Sequence, residues 1–145
     1  MGYKIHVLDR KYSKWELYNS TTLELEKKDI DPVKNKLFNH DVFSIVNENI
    51  SIDHSVIRSV SSIQGVLVLD NGKTFGRHSR NKFFYRCIPD DRRLPEFLVP
   101  YRLKIVFKKK KTNKYILFKY QNWDNKHPIG TIIQVIGPVS DLSFF

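Results

Sequence analysis

Two kinds of side chain offer chemistry here, cations and aromatic rings, and both crowd into the second half of the chain. Lys108, Lys109, Lys110 and Lys111 form an unbroken run, with Lys104 before it and Lys114 after it. Clustered cations neutralise phosphates and give a salt-sensitive affinity that does not depend on sequence. A solvated hairpin tip would have the same composition. Arg92, Arg93 and Arg102 extend the basic set upstream, and Phe84, Tyr85 and Tyr101 lie among the charges. An exposed ring beside a cation is a stacking platform, worth about 1–3 kcal/mol per base in single-strand binders. In KFFYRC, residues 82–87, strand alternation sends Phe83 and Tyr85 to one face and Phe84 and Arg86 to the other. It does not say which face meets solvent.

Catalytic groupings are scarce. The five histidines are scattered, and none has a partner at metal-ligand spacing. Asn39-His40-Asp41 reads as a side-chain-capped turn. Asp90-Asp91 is followed at once by Arg92-Arg93, so the acidic pair reads as a neutralised turn. Gly65, Gly72 and Gly76 are separated by strand-like residues and build no phosphate loop. A single cysteine, Cys87, excludes an intramolecular disulfide or a Cys-rich zinc site. It points to a reducing, intracellular setting and reads as a small core residue. Trp123 reads as a core anchor, and His127 as a loop residue with a candidate ribose or phosphate contact. No cofactor is expected.

The net charge of +10 is localised. Residues 1–72 sum to −1, residues 73–119 to +12 and residues 120–145 to −1. Such segregation, interleaved with aromatic residues, favours a nucleic-acid partner over a charge excess kept for solubility. The longest apolar run, IQGVLVL, is far too short for a membrane helix, and no membrane partner is expected.

Short strands must position these side chains. YKIHVL, WELY, TTLELE, LFNHDVFSIV and ISIDHSVIRSV read as strands or as turns running into strands. IQGVLVLDNGKTFGRH reads as a hairpin closed at Asp70-Asn71-Gly72. KFFYRCI, RLKIVF, KYILFKY and GTIIQVI complete the set. Between them, residues 87–104 hold Pro89, Pro95 and Pro100, which predict a rigid connection rather than a helix or a central strand. It would carry Arg92 and Arg93 outward between two halves. Turn chemistry recurs so often, without an amphipathic helical face, that the fold class is all-β. The expected division is residues 1–60, residues 61–140 and an exit at 141–145.

PDDRRLPEFLVP, followed by NKYILFKYQNWDNKHPIGTIIQVIGPVSDL, resembles the second cold-shock domain of RNB-family exoribonucleases, the ribonuclease II/R and exosome-catalytic-subunit class. Pro89, Asp91, Arg93, Pro95, Trp123, Asp124, Pro128, Gly130 and Gly137 carry the likeness, which is closest to forms found in large DNA viruses of eukaryotes. LFNHDVFSI is similar to a turn and strand of the first cold-shock domain, with His40 where glycine is usual. The resemblance implies two small OB-like barrels, the first degenerate and the second better formed. It also implies binding of single-stranded RNA, guided towards an RNB catalytic domain. That domain uses clustered aspartates and Mg²⁺; after residue 100 this sequence has only Asp124 and Asp141. The expectation is therefore an RNA-guiding module, not an enzyme on its own, whose partners are RNA and a separate RNB catalytic chain. An adaptor that docks on such a chain or on another complex is the alternative, and an enzyme with an unseen site is a third class.

Overall fold

The computed structural model describes residues 2–103 and 112–139. They form two compact units: Met1–Val60 with Arg92–Pro95, and Ser61–Asp91 with Glu96–Phe145. Both units are built from β-strands. Among the described residues the one helix is α1 (Val56–Ser59), and none is long and apolar enough to cross a membrane.

The first unit holds β1 (Gly2–Val7), β2 (Trp15–Asn19), β3 (Leu25–Glu26), β4 (Val42–Val46) and β5 (Asn49–His54). They pair antiparallel in the order β3-β2-β1-β4-β5. Alternation in β1 buries Tyr3, Ile5 and Val7, and Leu17, Phe38 and Phe43 complete the core around them. No pairing among the described residues joins β3 to β5.

Two sequence expectations change here. TTLELE is mostly turn, because the Asn19 side-chain oxygen accepts hydrogen bonds from the Thr21 and Thr22 amides at 2.9 and 3.0 Å. The Asn19 carbonyl takes the Leu23 amide, and Leu23 sits at φ 62°. Leu23 and Leu25 are then left 66% and 57% exposed rather than packed. The period-two reading of ISIDHSVIRSV also ends early. Ser55 caps α1 through its hydroxyl to the Arg58 amide, so local capping replaces the strand after His54.

Asn39-His40-Asp41 is the capped turn expected. The Asn39 oxygen accepts from the Val7 amide at 2.8 Å. The fully buried Asp41 carboxylate accepts from the Phe38 amide, the Ser55 hydroxyl and Arg58. Burial pushes the Asp41 carboxyl up, and these donors pull it back.

The second unit holds β6 (Ile63–Leu67), β7 (Arg77–Ser79), β8 (Lys82–Pro89), β9 (Phe97–Tyr101), β10 (Lys114–Asn122) and β11 (Ile129–Pro138). Five strands close a ring, β6-β8-β9-β11-β10 and back to β6, with β7 attached to β8. β9 and β11 are parallel and every other pairing is antiparallel. This is the strand order of an OB barrel. Phe97 and Phe118 meet edge to face in the core at 5.0 Å. A Cβ on Gly65 would lie 3.0 Å from the Phe118 ring, and one on Gly130 only 2.8 Å. Those two glycines let the strands close over Phe118.

Two further readings are corrected. Asp70-Asn71-Gly72 does turn the chain, with Gly72 at φ 67°, but β7 pairs with β8 and not with β6. Gly72 thus opens a loop that leads back to the side of β8, where the Phe75 amide meets the Phe84 carbonyl. The proline-rich connection also contains a ring strand, β9, with Pro100 paired to Phe84. Beyond Leu98, β9 has a ladder partner only in β8, so the missing Pro100 donor costs no hydrogen bond.

Candidate nucleic-acid interface

Three parts of the barrel converge on one open cleft of about 690 Å³. The loop between β6 and β8 contributes Phe75 and His78, β8 and β9 contribute Phe84 and Pro100, and the β10–β11 loop contributes Lys126 and His127. The faces of the second and third ring strands, flanked by these two loops, are where OB folds take oligonucleotides.

Local backbone chemistry builds the aromatic wall. The Phe75 amide donates to the Phe84 carbonyl and the Phe84 amide to the Gly76 carbonyl, each at 2.9 Å. Gly76, at φ 110°, occupies a conformation that side chains strongly disfavour. The loop is thereby held along β8, where Phe75 meets His127 edge to face at 6.0 Å and His78 meets Phe84 at 5.3 Å. Cations sit at the rings: Lys73 Nζ lies 5.0 Å from the Phe75 centroid, and Arg77 lies 5.7 Å from that of Phe83. Burial, then Lys126, holds the His127 imidazole below its ordinary pKa, against the opposing pull of Glu96. His127 is therefore neutral at pH 7 and presents a ring rather than a charge.

Of the residues singled out from sequence, the cleft takes Phe84. Alternation in β8 turns Phe84 outward and Tyr85 inward, opposite Val99. Tyr85 is only 5% exposed, so the expectation of a stacking face there is withdrawn. Tyr101 shares its side of the sheet, edge to face with Tyr85 at 6.2 Å, and is half-buried. Burial raises the Tyr101 hydroxyl pKa. Arg102 is exposed just beyond β9. Arg92 and Arg93 are exposed in a turn that groups with the first unit, where Arg93 is near enough to His6 to help hold its pKa down. Lys104, Lys108, Lys109, Lys110 and Lys111 lie outside the described residues.

Sequence reasoning passed over His78 and Lys126, whereas His127, read as a loop residue with a candidate ribose or phosphate contact, does line the cleft. Counting strands in OB order would have found them, since they fall in the loops after the first and fourth ring strands. Cys87 and Trp123 are buried as expected. Among the described residues no three His, Cys, Asp or Glu side chains gather as a metal site requires.

No curated protein matches the chain. Residues 84–144, from the middle of β8 onward, match the family model of the Dis3-like cold-shock domain 2, an OB-fold domain.

Proposed function

We propose that the barrel binds single-stranded RNA in this cleft and serves as the substrate-guiding module of an RNB-type 3′-to-5′ exoribonuclease, without catalysing hydrolysis itself. One observation carries the reading: an OB ring whose second strand presents Phe84 beside Phe75 of the β6–β8 loop, with Lys73 on that loop and Lys126 on the β10–β11 loop. Bases stack on Phe84 and Phe75. Lys73, Lys126 and Arg102 hold phosphates, joined by Lys104 and the lysines at 108–111. The match of residues 84–144 to a Dis3-like domain supports RNA over DNA.

The test is fluorescence anisotropy of a labelled single-stranded RNA across a salt series with Mg²⁺ present. Affinity should fall with a log–log slope of about −0.7 per phosphate neutralised, and the RNA should stay intact. Absence of binding at low salt would sink the reading, and Mg²⁺-dependent cleavage would reassign the chain as an enzyme. A second reading rests on the exposed Leu23 and Leu25 of the first unit, with Leu23 held at positive φ. That turn suits docking on a protein, such as a separate RNB catalytic chain, and co-purification of such a chain with negligible RNA affinity would favour it.

A further inference from the structure

β10 does not run straight into its loop. Tyr120 pairs with Gly130 and Asn122 with Ile129, so Gln121 is an extra residue in the strand, a β-bulge. In a regular strand Gln121 and Asn122 would point to opposite faces. The bulge brings both side chains to the cleft, and bulges commonly re-aim side chains beside functional sites.

Each amide is also held one way round. The Gln121 oxygen accepts from the Thr131 hydroxyl at 3.1 Å, which leaves the Gln121 NH₂ to donate into the cleft. The Asn122 NH₂ donates to the Asp124 carboxylate at 2.8 Å, which leaves the Asn122 oxygen to accept. A donor and an acceptor thus stand side by side. Phosphate offers only acceptors, and Asp124 repels it, so a phosphate does not match this wall. The edge of a base does, because every base carries an adjacent donor and acceptor there.

We propose that Gln121 and Asn122 are specificity-determining residues that read the edge of one unpaired base stacked at Phe84, a proposal that rests on the single-stranded RNA function above. Phosphate contacts through Lys126 then fix the strand, and the amide pair makes affinity depend on which base is presented.

The test compares unstructured rU, rC and rA oligomers of roughly eight nucleotides by anisotropy. The wild-type chain should separate the best from the worst by about fivefold or more, the low end for a two-bond base contact. The variant carrying Gln121→Ala and Asn122→Ala should bind all of them with one affinity. Thr131→Val, which frees the Gln121 amide to turn over, should narrow the spread. Lys126→Ala should weaken all oligomers by the same factor and keep their order. Equal affinities in the wild type, or a spread that survives the double substitution, overturn the proposal and leave RNA binding standing. Failure to bind any oligomer sinks the RNA reading itself and this proposal with it.

Discussion

The two units lay out their strands in the same order and differ in one joint. Matching β1 to β5 with β6, β8, β9, β10 and β11 gives identical neighbours, but only the second ring closes, through the parallel Leu98–Ile129 bridge. The third strand decides this. In the barrel it is Phe97–Tyr101; in the first unit it shrinks to Leu25–Glu26 because the Asn19 turn consumes the residues before it. Closure has a functional consequence. It holds the β6–β8 and β10–β11 loops against one strand face, where the Phe84 cleft forms. The first unit carries only +2 of the chain's +10 net charge and is fastened by the polar set around Asp41.

The largest effect should come from breaking that fastening. Asp41→Ala leaves Arg58 half-buried without its carboxylate and should cost about 3–5 kcal/mol. Amide exchange would then accelerate across β1–β5, while β6–β11 keep their protection if the units are independent. Equal loss in both would mean that the two share one folding transition. The reciprocal break is Gly130→Ala, whose methyl meets Phe118; it should destabilise the barrel by about 1–3 kcal/mol in a denaturant titration.

Phe84→Ala sharpens the functional half of the contrast. It should lower RNA affinity by about 1–3 kcal/mol without altering the salt slope, since it removes a stacking face and no charge. Tyr85→Phe is the matched control and should leave affinity unchanged, because that ring faces the core.

The smallest effect is a pH dependence. The folded His127 pKa lies below the ordinary value, so the unfolded chain takes up its proton first. Its stabilising contribution is present above about pH 6.5 and is lost as pH falls through the folded value. Bound phosphates favour the charged imidazole, so RNA affinity should rise modestly from pH 7 towards pH 5.5. His127→Gln should flatten that rise in anisotropy titrations.

The strands β1, β2, β4, β8 and β10 could be read from alternation, because one face of each is buried and the sequence repeats with the pleat. So could the all-β class and the basic second half. β11 could be read only as an apolar run, its Ile133, Val135 and Ile136 staying exposed. Leu23 and Leu25 alternate equally well yet stay exposed: the short-range Asn19 turn takes Leu23 out of the strand, and Leu25 lies in the two-residue β3 that remains. Pro100 looked like a strand breaker, and is tolerated because one flank of β9 has no ladder at that point.

By itself the sequence determined which segments extend, where charge accumulates, and that Phe84 and Tyr85 must face opposite ways. Ring closure alone decided that Phe84 is the outward one. It also decided that Phe75, Lys126 and His127, from loops some fifty residues apart in the chain, share one cleft with it. Alternation is a property of neighbouring residues, whereas inside and outside exist only once distant strands have paired.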